Sequence, residues 1–180
     1  NVVYGNGVGI ADVNASVVSG NRVFNHVVAG ITLDGASTVT GNKIYSNSVG
    51  VKATTFFTGV LADNIIYANT NTGVSIQSTS NQPRDLVNNT IYQLVGDAVR
   101  VETGSQNLRL RNNILSTDSG YAVYVAGAVT NFSSDYNLFN QGADPNAHLG
   151  FFGGAIRDSL ADWRTATLQD GQALEGNALF

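Results

Sequence analysis

The stretch VTGNKIYSNSVGVKA, residues 39–53, decides the fold. It sets an amide at Asn42, a branched aliphatic at Ile44, an aromatic at Tyr45, and then Gly50 and Val51. Nearly the same order recurs in VSGNRVFNHVVAGITL, residues 18–33, and in LADNIIYANTNTGVSI, residues 61–76. Aligned on the amide, Asn1, Asn21, Asn42, Asn64, Asn89, Asn113 and Asn137 form one column with steps of 20 to 25 residues. A period in that range marks a solenoid, whose units bury their apolar faces only by stacking on one another.

Each unit carries three strand signals. Two residues after the amide stand Val3, Val23, Ile44, Ile66, Ile91, Leu115 and Phe139, followed in the first five units by an aromatic: Tyr4, Phe24, Tyr45, Tyr67 and Tyr92. Further on come IAD, ITL, VKA, VSI, VRV and VYV, starting at Ile10, Ile31, Val51, Val74, Val99 and Val123. Their first and third residues face one side and the middle one faces out. Three residues before the amide lie Val18, Val39, Leu61, Leu86 and Leu110, with Ser134 in the last unit. A small residue precedes each second strand (Gly9, Gly30, Gly50, Gly73, Ala98 and Ala122), which reads as a tight bend. The expected architecture is an all-β parallel β-helix of about seven coils with three short strands each. A leucine-rich repeat shares the period but needs a regular leucine consensus that this chain lacks.

Composition agrees. The 180 residues include 20 glycines and two prolines, and 43% are hydrophobic against 12% charged. Nine Lys+Arg and a formal net charge of -4 leave no basic patch for a nucleic-acid backbone. No apolar run approaches the roughly 18 residues of a membrane span, and no leader pattern opens the chain. Cysteine is absent, which removes disulfides and thiolate chemistry, and methionine is absent too. The expectation is a part of a longer parent chain.

The GN-x-I-Y and G-I-x-L units resemble the repeats of right-handed parallel β-helix proteins, a superfamily that includes pectate-lyase-like polysaccharide enzymes and many secreted bacterial surface proteins. The resemblance covers about residues 1–140. SDYNLF at 134–139 and DSLADWRTATLQDGQALEGNALF at 158–180 are similar to the closing part of such regions, where a short Trp-containing helix follows the last coil. Residues 141–180 are therefore expected to be a cap and extended tail, with a helix near 159–166. Ser159 and Asp162 suit its start, and Leu160 and Trp163 its apolar face. The resemblance implies an extracellular or cell-surface location.

Columns of like residues are candidate sites. The amides Asn21, Asn42, Asn64, Asn89, Asn113 and Asn137 read as a structural ladder, each donating to its neighbour. The aromatic column reads first as ring-on-ring stacking and second as a sugar contact. The outward column of the second strand, Ala11, Thr32, Lys52, Ser75, Arg100 and Tyr124, carries the polar surface, with Asp97 and Glu102 flanking the arginine. In lyases of the resembled superfamily a Lys or Arg on one sheet abstracts the proton beside a uronate carboxylate, and acidic residues bind calcium. Lys52 and Arg100 are the corresponding candidates here, and Lys52, Ser75, Asp97, Arg100, Glu102 and Tyr124 the candidate binding face.

Against catalysis stands the scatter of the acidic residues. Calcium takes about 6 to 8 oxygens at one point, whereas Asp34, Asp63, Asp97 and Glu102 occupy different columns or distant coils. His26 and His148 are far apart and read as surface residues. The glycines of GNGVG, residues 5–9, lack the Lys and helix of a phosphate loop. Asp12 aligns with Leu33, an inward position that would bury a carboxylate. The leading expectation is a non-catalytic module of an exported bacterial protein, a spacer or an adhesion and carbohydrate-contact surface. It has no resident cofactor or metal, and a polysaccharide or cell-surface component is its partner. The alternative is a fragment of a lyase or epimerase acting on acidic polysaccharides, with calcium as its ion.

Overall fold

The computed structural model describes residues 1–178; Leu179 and Phe180, at the end of the expected tail, lie outside the described residues. Three sheets run the length of a parallel solenoid. Sheet A stacks Val2–Tyr4, Arg22–Phe24, Lys43–Tyr45, Ile65–Tyr67, Thr90–Gln93, Ile114–Thr117, Leu138–Gln141 and Leu174–Glu175. Sheet B stacks Val8–Asp12, Ala29–Leu33, Val49–Ala53, Thr72–Ile76, Asp97–Val101, Gly120–Val125 and Ala147–Phe152, with Ala155–Arg157 folding back antiparallel. Sheet C stacks Val17–Ser19, Thr38–Thr40, Val60–Ala62, Arg84–Val87, Leu108–Arg111 and Ser133–Asp135. Among the described residues, six coils carry all three strands and a seventh contributes to sheets A and B.

The register is the one the repeat predicts. Ile44 pairs with Val23 and Ile66, Val51 with Ile31 and Val74, and Leu61 with Val39 and Leu86; each of these side chains is fully buried. The core is thus a set of aliphatic columns enclosed by three sheets, all of whose strands but one pair in parallel.

At the turn from sheet C to sheet A sits the asparagine ladder. The Nδ2 of Asn21, Asn42 and Asn64 each donates to the Oδ1 of the next asparagine at 3.0 Å, and the links from Asn89 and Asn113 measure 3.1 Å. Each Oδ1 also accepts the backbone N–H of the preceding asparagine, as Asn64 does from Asn42 at 3.0 Å. The second amide hydrogen serves main-chain carbonyls, so Asn64 donates to Val39 and Ala62. The residue before each amide is left-handed: Gly20, Gly41, Asp63, Asn88, Asn112 and Tyr136 all have φ between 56° and 65°. Glycine, asparagine and aspartate tolerate that conformation best, which explains the recurring GN pair.

A second ladder, not expected from the sequence, runs along the turn from sheet A to sheet B. His26 and Asn47 donate their backbone N–H to the Oδ1 of Asn47 and Asn69, and Asn69 donates its own to Gln93 Oε1 at 3.0 Å. The same left-handed device precedes it at Asn25, Ser46 and Ala68. In the next coil that residue is missing, and glutamine, longer by one methylene, takes the amide's place. His26 is therefore not the surface residue expected: it is 2% exposed, with Nδ1 accepting from the Asn6 N–H and Nε2 3.2 Å from the Val3 carbonyl.

The glycine column is also explained by this ladder and not by a left-handed bend. Gly30, Gly50 and Gly73 lie inside the sheet B strands, and a Cβ on Gly50 would come within 2.5 Å of the Gly73 carbonyl oxygen and 2.9 Å of Asn69 Nδ2. Gly50 and Val51 are both buried, which breaks strict alternation. Residues three apart, such as 49 and 52, consequently face outward together. Asp12 pairs with Leu33 as the alignment implies, is buried, and leaves Oδ2 without a partner among the described residues.

At the far end helix α1, Leu160–Thr167, covers the core. Ser159 caps it, its side chain accepting from the Asp162 N–H, and Leu160 and Trp163 are buried. Gly150 leaves room for the indole, since a Cβ there would lie 2.5 Å from Trp163. Asp170 takes the place of the next ladder asparagine: Oδ1 accepts from Asn137 at 3.1 Å and Oδ2 from the Trp163 indole N–H at 2.8 Å.

Two expectations for stability follow. Asn64→Ala strands buried donors on Asn42, and urea denaturation should show a loss of about 2–4 kcal/mol, whereas exposed Gln172→Ala stays within about 0.5 kcal/mol. Burial raises the Asp170 carboxyl above its ordinary 3.8, outweighing the hydrogen bonds from Ser134, Trp163 and Asn137 that lower it. The folded chain then keeps this proton at a pH where the unfolded chain has lost it, so the Asp170 contribution is greatest below pH 3.8 and declines as pH climbs above it. Asp170→Asn should flatten that decline, followed through the emission of Trp163, the sole tryptophan.

Candidate functional site

The broken alternation in sheet B builds the site. Pairing places Thr32, Lys52, Ser75, Arg100, Tyr124 and Phe151 in one outward row. Val49, Thr72 and Asp97, three residues earlier in their coils, form a second row beside it. Between and around them is a cavity of about 420 Å³, to which Lys52, Ser75, Asp97, Arg100 and Glu102 contribute, with Val28, Asn71 and Gln77 also lining it. Five of the six residues expected to bind are thus brought together. Tyr124 adjoins them through Arg100, whose guanidinium carbon lies 3.9 Å from the ring centroid.

Arg100 is held on three sides. Its Nη1 is 2.8 Å from Asp97 Oδ2, its Nε is 3.2 Å from Glu102 Oε1, and its plane covers Tyr124. Burial lowers its pKa, but the hydrogen bond to Asp97 and the charges of Glu102 and Asp97 raise it on balance. A guanidinium so placed stays protonated and cannot act as a base. Asp97 is itself buried, and burial raises its carboxyl more than the hydrogen bonds from Arg100 and the Tyr121 N–H lower it.

Lys52 differs. It is exposed and makes no hydrogen bond or ion pair among the described residues. Ser75, one coil on, donates to Glu102 Oε1 at 3.3 Å.

The donor set does not suit calcium. The groove's two carboxylates converge on a guanidinium, and a dication beside them would meet its positive charge. Among the described residues no group of three or more His, Asp or Glu side chains is arranged to hold a metal ion.

The aromatic residues behave as a stack. Tyr4, Phe24, Tyr45 and Tyr67 lie on the outer side of sheet A with centroids 5.3, 5.0 and 4.9 Å apart and planes within 13° of parallel. Arg22 packs over Phe24 and Tyr45, and Lys43 over Tyr67. Ring faces that cover each other are closed to a sugar ring; edges, hydroxyls and the outer face of Tyr4, the exposed first ring, remain available. Tyr92 ends the column, its hydroxyl donating to Asp118 at 2.6 Å, a bond that together with burial pushes its pKa up to about 12.

Three features escape sequence reading. Tyr121 and Phe151 pack on Tyr124, Phe151 stacked on it at 4.7 Å, and His148 stacks on Tyr121 with its Nδ1 2.6 Å from Asp158. Arg84 is fully buried and donates to the carbonyls of Phe57, Ser78, Ser80, Gln82 and Gln106. The second ladder has a legible signal, an amide or histidine five residues after the first at Asn6, His26, Asn47 and Asn69.

Searches of curated proteins and of solved structures return no match to this chain. Comparison with protein families gives one described as right handed beta helix region, matched over residues 1–139. That span holds both ladders and six of the seven coils, and it ends at Phe139, before the last sheet B strand and the capping helix. The chain belongs to the right-handed β-helix family.

Proposed function

We propose that this β-helix is a non-catalytic module of an exported protein that contacts carbohydrate through the groove on sheet B. The observation that carries the reading is the state of the groove's charged groups: Arg100 is locked between Asp97 and Glu102, and, among the described residues, Lys52 is the groove cation without a partner and so free to meet a ligand. Serine, threonine, asparagine and glutamine side chains supply the remaining lining polar groups, a set suited to hydroxyl-rich ligands. The rigidity of two ladders and a capped end suits a spacer that presents such a groove. The resemblance to secreted β-helix proteins supports the exported location.

A second reading rests on the same free lysine, which could take a proton beside the carboxylate of an acidic sugar. It makes the chain a fragment of a uronate lyase or epimerase, and calcium would have to come with ligands beyond those in the groove.

The two readings separate by experiment. Titration calorimetry over a panel of neutral, acidic and amino polysaccharides should find a ligand whose affinity falls about tenfold in Lys52→Ala, equivalent to about 1.4 kcal/mol. The same polysaccharides should yield no unsaturated sugar with or without calcium. Unsaturated product that Lys52→Ala abolishes would assign the chain to the lyases instead.

A further inference from the structure

The groove has two open charged points of opposite sign. One is the Lys52 ammonium, which has no partner among the described residues. The other is Glu102: its Oε1 takes both Arg100 Nε and the Ser75 hydroxyl, while Oε2 receives no hydrogen bond among the described residues, and the side chain is 31% exposed. Arg100, Asp97 and Glu102 together carry one positive and two negative charges when ionised, so the cluster is net acidic despite its arginine. An arginine in a sugar groove ordinarily invites a purely anionic ligand; here its charge is already spent on two neighbours.

Pairing sets the spacing. Lys52 and Ser75 are register partners on adjacent strands, as are Ser75 and Arg100, so the lysine and the arginine lie about 10 Å apart along the stack. Glu102 reaches back to Ser75 and narrows the gap between the two open points. They nevertheless do not pair with each other, because Arg100 and Ser75 hold the carboxylate on their own side. A ligand bearing one negative and one positive group on neighbouring sugar units would satisfy both, with its hydroxyls facing Thr72, Asn71 and Gln77.

We infer that the groove selects a zwitterionic glycan, one that carries a carboxylate and a free amine along the same chain, the carboxylate at Lys52 and the ammonium at Glu102. The inference rests on the carbohydrate-contact reading and narrows it to one charge class. A uniformly acidic polymer would meet Lys52 but place like charge beside Glu102 and Asp97. A uniformly amino polymer would do the reverse at Lys52.

The test uses the whole chain and four oligosaccharide probes of matched length in calorimetry at low salt. The probes are N-deacetylated hyaluronan, in which glucuronate alternates with free glucosamine, polygalacturonate, chitosan fragments and dextran. The expected result is at least tenfold tighter binding of the deacetylated hyaluronan than of any other probe. Lys52→Gln should weaken it about tenfold while chitosan, relieved of like charge, binds no more weakly than before, and Glu102→Gln should weaken it while polygalacturonate binds no more weakly than before. Thermal unfolding of each variant, expected to match the parent, confirms that the groove is intact. Equal or tighter binding of polygalacturonate, chitosan or dextran overturns the zwitterion inference and leaves the carbohydrate-contact reading standing. Absence of binding to all four overturns both.

Discussion

A buried primary amide has to find partners for two donors and an acceptor at once, and a column of amides one strand spacing apart solves that problem for every member but the last. Much of this molecule depends on that solution. Asn42, Asn64 and Asn89 each hold the sheet C to sheet A turn by accepting from the coil before and donating to the coil after. The left-handed residue before each amide turns the chain sharply enough to aim it inward. The aliphatic columns then fall into register, because the ladder fixes where each strand begins.

The second corner applies that rule only in part, since Asn69 Nδ2 and Gln93 Nε2 are buried without a partner among the described residues, and this is where the fold creates the groove. To let Asn47, Asn69 and Gln93 approach the backbone, sheet B gives up a side chain at Gly30, Gly50 and Gly73. The strand then breaks strict alternation and brings positions 49 and 52, 72 and 75, or 97 and 100 to the same groove. The placing of Lys52 beside the Asp97, Arg100 and Glu102 cluster is thus a by-product of how a buried amide is accommodated one layer below.

What the sequence discloses follows from periodicity. Ile44, Val51 and Leu61 could be assigned to the core, Asn42 to a ladder and Lys52 to the outer face, since each recurs at a fixed offset and strand alternation does the rest. The helix with Leu160 and Trp163 buried was equally legible from its cap and spacing. Features that break the period were not. Gln93 stands one residue nearer its ladder asparagine than Asn69 does, and His26 is of another residue type, so the second ladder dissolves in a gapless reading. Arg84 lies in the longest unit, and its burial depends on five carbonyls whose convergence no local pattern announces. The groove's residues were found as a column, but whether Arg100 was available as a base depended on side-chain geometry, which places both carboxylates on it.

The ladder's amides all point the same way. From Asn21 to Asn137 one Nδ2–H of each amide is directed toward the C-terminal end, so these bond dipoles add, each link polarising the next, and the positive end of the row emerges where the coils stop. Another asparagine there would present its own hydrogens to the Trp163 indole N–H or to Asn137. A carboxylate offers only acceptors, and Asp170 receives both donors with one oxygen each. The row of dipoles thus offsets part of the cost of burying that charge, much as a helix N-terminus does for an anion. The solenoid is polar along its axis, and it has one end at which an acid is the fitting stop.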